Sequence, residues 1–117
     1  MDLNQALEKH AEWKLKFRSA INTQETMDVA TISKDNCCEL GKWLHSEAKT
    51  KFGSLQSYKQ CVAKHALFHT EASKVAQIIN ARKYDEAENM LNAGTPYAQA
   101  SNAVGIAIVQ FKKEAKL

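Results

Sequence analysis

Apolar residues return every three or four positions along almost the whole chain, the repeat of helices that each bury one face. Leu3, Leu7, His10, Trp13, Phe17 and Ile21 make the first such stripe. One proline and four glycines in 117 residues leave room for long helices. No segment alternates with the two-residue period of a half-buried strand. The predicted class is all-α, an antiparallel four-helix bundle with an additional short helix, forming a single domain over residues 1–117.

The pattern sets approximate boundaries. The first helix is expected from about residue 2 into the twenties. Residues 22–36 are rich in Thr, Asp and Asn and read as a connection, with Met27 and Val29 able to extend the helix. A second helix is expected over 35–52, capped by Asp35 or Asn36 and ended by Gly53 in a left-handed conformation. Ser54 is placed to cap a third helix reaching residue 80. Its stripe is Leu55, Tyr58, Val62, His65, His69, Ala72, Ala76 and Ile79. Residues 84–91 predict a short helix, with Asp85 and Glu88 spaced like a capping box. Gly94-Thr95-Pro96 is a strong stop-and-start signal: Gly ends one helix, Thr caps the next and Pro takes its first position. The last helix carries Tyr97, Ala100, Val104, Ala107, Ile108 and Phe111 on one face.

Composition narrows the function classes. Hydrophobic residues are 44% and charged residues 25%, ordinary values for a soluble globular domain. No apolar run approaches the roughly 20 residues that span a bilayer, so membrane insertion is not expected. The start, Met1 to Gln5, lacks a signal-peptide pattern, and a cytoplasmic location is expected. Three cysteines suit reduced thiols better than a disulfide framework. The net charge of +3 is mild, and Lys112, Lys113 and Lys116 sit where they complement a helix dipole. Without a basic stripe carrying interleaved aromatics, nucleic acid is not an expected partner.

Histidine on an apolar helix face needs a partner, because an imidazole buried without one is costly. His10 lies in the middle of the first stripe. His65 and His69 are four residues apart on the third, so their rings project from one face about 6 Å apart along the axis. With a thiolate, three such imidazoles make a closed tetrahedral zinc site. Each histidine alone has an ordinary explanation as a core or surface residue. The inward placement of all three favours a metal.

The thiol is less determined by spacing. Cys61, His65 and His69 form a row of about 12 Å, long for a single ion, so Cys61 reads as a small buried hydrophobe. If the second helix were regular from its start, Cys37 would lie nearer the face of Leu40 and Leu44. Cys38 would lie about 100° further round, toward Gly41 and His45. Periodicity thus mildly prefers Cys37. His45 reads as a surface histidine or a substitute ligand. Trp13 and Trp43 read as core or interface residues.

His10-Ala11-Glu12-Trp13, Cys38-Glu39-Leu40-Gly41-Lys42-Trp43 and His65-Ala66-Leu67-Phe68-His69 occur in that order. They resemble the chemoreceptor zinc-binding (CZB) domain family, whose members carry H-x-x-W, C-x-[L/F]-G-[K/R]-W and a later pair of histidines. The resemblance extends over residues 6–112. It implies a four-helix bundle holding zinc through His10, Cys38, His65 and His69, and it selects Cys38 over Cys37. It also implies a cytoplasmic regulatory role, pairing as a homodimer, and association with bacterial chemoreceptors or diguanylate cyclases. The sequence carries no attached output module, so it reads either as a free-standing member or as an excised piece of a larger protein.

The leading expectation is a zinc-dependent sensor of signal transduction and chemotaxis, with redox sensitivity through the thiolate. One alternative is a metal-free helical interaction module. The other is a metalloenzyme, which four protein ligands disfavour because catalytic zinc keeps a position for water. No H-E-x-x-H occurs, and none of the four histidines follows a glutamate by three residues, so no catalytic residue is assigned.

Overall fold

The computed structural model describes residues 1–117 and is all-helical, without strands. The helices are α1 (Leu3–Ala11), α2 (Trp13–Thr23), α3 (Val29–Ile32), α4 (Glu39–Leu44), α5 (Glu47–Phe52), α6 (Gln56–Asn80), α7 (Tyr84–Met90) and α8 (Pro96–Ala115). The long pair α6 and α8 forms the spine. Glu114, near the end of α8, accepts hydrogen bonds from the backbone N–H and Oγ of Ser57 at the start of α6, at 3.3 and 2.8 Å. That contact sets the two helices antiparallel. Lys112 donates to Asn4 at 3.0 Å, so α1 also runs against α8. The α1–α2 and α6 rods run one way, and α4–α5 and α8 run the other.

Phe17, Leu40, Leu44, Phe68, Val75, Ile79, Leu91, Val104, Ile108 and Phe111 are fully buried between these rods. The stripes of α1–α2, α6 and α8 supply Phe17, Ile79, Val104, Ile108 and Phe111, as their spacing requires, while Phe68 and Val75 are buried on α6 outside its expected stripe.

The first rod is nearly continuous. Glu12 separates α1 from α2 but keeps helical angles, and its N–H still donates to Glu8 at 3.0 Å. The second rod departs more from expectation. It begins at Glu39 with Cys38 as N-cap, not at Asp35 or Asn36. It is also divided at Ser46, whose hydroxyl donates to the Lys42 carbonyl at 2.6 Å and competes with the helical ladder. Gly53 is right-handed at φ −58°, so it is not the left-handed cap that spacing suggested. Ser54 does not cap α6. Leu55 holds that position without a side-chain bond, and Glu114 comes from α8 to satisfy Ser57 instead. Lys83 precedes α7, and no capping box forms, leaving Asp85 and Glu86 in the first turn. The start half of the Gly94-Thr95-Pro96 signal is realised, since Thr95 Oγ1 accepts from Ala98 N–H at 3.2 Å and Pro96 opens α8, whereas α7 already ends at Met90 and Gly94, at φ +84°, turns the connection instead.

Between α2 and α3 the chain is clasped to α6. The Asn80 amide accepts from Met27 N–H and donates to Met27 C=O, both at 2.8 Å. Asp28 then caps α3 by accepting from Thr31 N–H at 3.2 Å. This short helix delivers the Ile32 carbonyl to the middle of α6.

Candidate metal centre

The centre is built from two rods and the cap of a third. His10 projects from the last turn of α1 and is 5% exposed. His65 and His69 project from adjacent turns of α6, 0% and 3% exposed. Cys38 has extended angles, φ −80° and ψ 161°, and ends the irregular stretch before α4. Its sulfur accepts from Gly41 N–H at 3.3 Å, so the helix start orients the thiol.

Gly41 is what lets that stretch fold back. A Cβ there would lie 1.6 Å from the Asp35 carbonyl oxygen and 2.7 Å from its carbon. Only glycine admits the backbone of residues 35–36 over the first turn of α4.

One atom from each of His10, Cys38, His65 and His69 meets the others within 4.8 Å. Cys38 Sγ lies 3.2 Å from His65 Nε2 and 3.6 Å from His69 Nε2, and the two Nε2 atoms are 3.0 Å apart. Tetrahedral zinc, with bonds of about 2.0 Å to nitrogen and 2.3 Å to sulfur, separates its ligand atoms by roughly 3.3–3.6 Å. The three distances among Cys38, His65 and His69 lie close to that range, and His10 stands within 4.8 Å of all three.

Hydrogen bonding fixes two of the tautomers. His10 Nδ1 is 2.7 Å from the Ala6 carbonyl, and His69 Nδ1 is 2.9 Å from the Ile32 carbonyl. A carbonyl only accepts, so each Nδ1 carries the proton and each Nε2 presents a bare lone pair. Two lone pairs, a third imidazole nitrogen and a sulfur therefore converge, and His10 Nε2 and His65 Nδ1 are buried without hydrogen-bond partners. A cation there gives the converging atoms a partner, and the donor set is one that zinc favours.

The electrostatics of the three imidazoles agree. Burial lowers the pKa of His10, with Ala6 opposing and His69 and Lys16 adding to the effect. Burial, with His69 and His10 nearby, pushes His65 down to about 3. Burial also lowers His69. All three rings are held neutral, the form that binds metal. Burial raises the Cys38 thiol against the pull of backbone N–H groups from Gly41, Leu40 and its own residue.

Cys37 is exposed, and its sulfur reaches only Asn36 Oδ1, at 3.7 Å. Cys61 is fully buried in the core and lies outside the cluster. His45 is also outside it, partly exposed and 3.0 Å from Asp35 Oδ2. Trp13 packs on Phe17 at 5.5 Å and Trp43 on Phe111 at 5.7 Å. Sequence reasoning missed the orienting groups: the Ala6 and Ile32 carbonyls, and Phe68 edge-on to His10 at 5.3 Å. Phe68 was legible as an apolar neighbour of the two histidines. The carbonyls carry no side-chain signal.

No match was found among curated proteins or among solved structures. The family model described as the chemoreceptor zinc-binding domain matches residues 10–76, a span that contains all four converging side chains. With more than half of its length matched and its His/Cys cluster compatible with zinc, the chain belongs to the chemoreceptor zinc-binding domain family.

Proposed function

We propose that this chain is a zinc-responsive regulatory domain, with His10, Cys38, His65 and His69 as the ligands of one ion. The observation that carries the reading is the pair of fixed lone pairs, on His10 and His69, aimed at the same point as His65 Nε2 and Cys38 Sγ. When bound, zinc supplies a cross-link between α1, the start of α4 and α6, so its binding energy adds to the stability of that arrangement. The chain's own residues orient the ligands: Ala6 and Ile32 hold two rings, and Gly41 holds the thiol. The output is then a change in helix packing, which suits a signalling role in the cytoplasm beside a chemoreceptor or cyclase. Oxidation of Cys38 acts in the same direction as zinc loss, because an oxidised sulfur is a poor ligand. The domain pairs as a homodimer. This reading is supported by the family and by exposed Leu15, Ile106 and Val109, which a second copy would cover.

Elemental analysis of untagged protein tests the metal. About one zinc per chain is expected of a single four-ligand site. Protein that stays metal-free after reconstitution would overturn the reading. Cys38→Ala should weaken zinc binding far more than Cys37→Ala or Cys61→Ala. Sedimentation of the zinc-loaded protein tests the dimer, and a monomer at every concentration removes it.

A further inference from the structure

Cys37 has no role in the centre, yet it is the immediate neighbour of the thiol that does. It is exposed, and Cys38 is partly exposed. Both line a cleft of about 480 Å³ whose wall also includes His10, Trp13 and Lys9, and both line a second, smaller cleft against Ile32 and His69. Small molecules that reach Cys38 therefore reach Cys37 by the same route. Residues 34–38 are not helical, so neither thiol is fixed by a helical ladder. Cys61, the remaining thiol, is sealed in the core.

From this juxtaposition we propose that Cys37 is the resolving thiol of the centre, closing a disulfide with Cys38 after Cys38 is oxidised. The proposal rests on the zinc reading above, since it names how that site is emptied and restored. The oxidant is a hydroperoxide. The Cys38 thiol attacks the outer peroxide oxygen through its sulfur, the O–O bond breaks, and the alcohol leaves with the thiol's proton, giving a Cys38 sulfenic acid. The Cys37 thiol then attacks that sulfur, the S–O bond breaks, and water leaves with the thiol's proton. Two thiols lose two electrons, and the peroxide is reduced to alcohol and water.

Adjacent Cα atoms are about 3.8 Å apart, below the roughly 4.4–6.8 Å that disulfides usually span. The bond is thus strained and readily reduced, the character of regulatory disulfides rather than structural ones. Capture by Cys37 also stops oxidation before the irreversible sulfinic stage. The centre becomes a reversible switch instead of a site that oxidant destroys.

Trypsin separates the thiols usefully, since Lys34 and Lys42 bracket a peptide, 35–42, holding both Cys37 and Cys38, while Cys61 falls in 60–64. Zinc-loaded full chain is treated with hydrogen peroxide, and released zinc and peptide masses are followed together. The expected product is peptide 35–42 lighter by two hydrogens, appearing with zinc release, and dithiothreitol with added zinc restores both. Cys37→Ser, chosen because its side chain is exposed, should bind zinc as the wild type does beforehand. After peroxide it should accumulate sulfinic Cys38 and lose recoverable zinc binding. Several results overturn the proposal: sulfinic Cys38 beside a free Cys37 in the wild type, a disulfide to Cys61 or to a second chain, or full recovery by Cys37→Ser. Protein that never holds zinc fails the earlier reading instead, and the mass of peptide 35–42 still reports on the thiol pair.

Discussion

The two halves of the bundle are held by different physics. Around His10, Cys38, His65 and His69 the interior is polar, and two of its ring nitrogens lack hydrogen-bond partners. At the other end of α4–α5, Trp43, Phe52, Tyr58 and Phe111 pack ring to ring at 5.6–6.3 Å, and the Tyr58 hydroxyl donates to the Leu44 carbonyl at 2.6 Å. That end is complete without a ligand. One half can therefore loosen while the other keeps the helices assembled, which is what a regulatory domain requires.

The largest effect expected from breaking this contrast is at the aromatic end. Phe111 is fully buried and touches three other rings. Phe111→Ala should cost about 3–5 kcal/mol of unfolding free energy, typical of a buried Phe truncation. Urea melts with and without a chelator measure it, and a cost appearing only when zinc is present would show that the halves are not separate.

Chelation comes next and should act locally. With zinc at a hundred times its Kd, binding stabilises the centre by about 2.7 kcal/mol, roughly a hundredfold in opening equilibrium. Hydrogen exchange should show that loss of protection around His10 and residues 65–69 on chelation, with residues 104–111 unchanged. Uniform loss along α6 and α8 would merge the two halves into one.

Gly41→Ala sharpens the comparison at the hinge between them. Its Cβ would collide with the Asp35 backbone, displacing Cys38 without touching a ring. Zinc affinity should fall by about 10–100-fold, as for other groups that orient a ligand. Titration against a competing chelator reads this, and unchanged affinity would mean that the stretch before α4 yields freely.

The smallest test is one of reactivity. Iodoacetamide at neutral pH should label exposed Cys37 first and Cys38 only after zinc is removed. Cys61 should stay unlabelled in the folded protein, because burial pushes its thiol up to about 12 and denies access. Peptide mass mapping gives the order, and early labelling of Cys61 would reveal an opening that the packed half should not have.

The stripes of α1–α2, α6 and α8 were legible because burial of one helix face leaves a period in the sequence. So was the convergence of His10 with His65 and His69. The thiol shows where that logic stops. Helical phase favoured Cys37, but Cys38 is an N-cap in extended conformation, and the α-helical angle between successive residues does not apply there. The motif resemblance carried that choice. The caps expected for α6 and α7 do not form, for a related reason, although α7 does start at Tyr84. Their expected caps were inferred from neighbours in sequence, whereas Glu114, some 57 residues away, serves Ser57. Ser46 divided the second rod through its hydroxyl's bond to the Lys42 carbonyl, which no periodicity records.

The Asn80 clasp on Met27 has a consequence for how this family member can vary. It pins one residue of the connection to the end of α6, while Ile32, five residues further on, must meet His69. The chain between those two anchors works as a ruler of fixed length. Insertions and deletions in that interval should be selected against, whereas the stretch between α2 and Met27 answers to one anchor only and is free to lengthen.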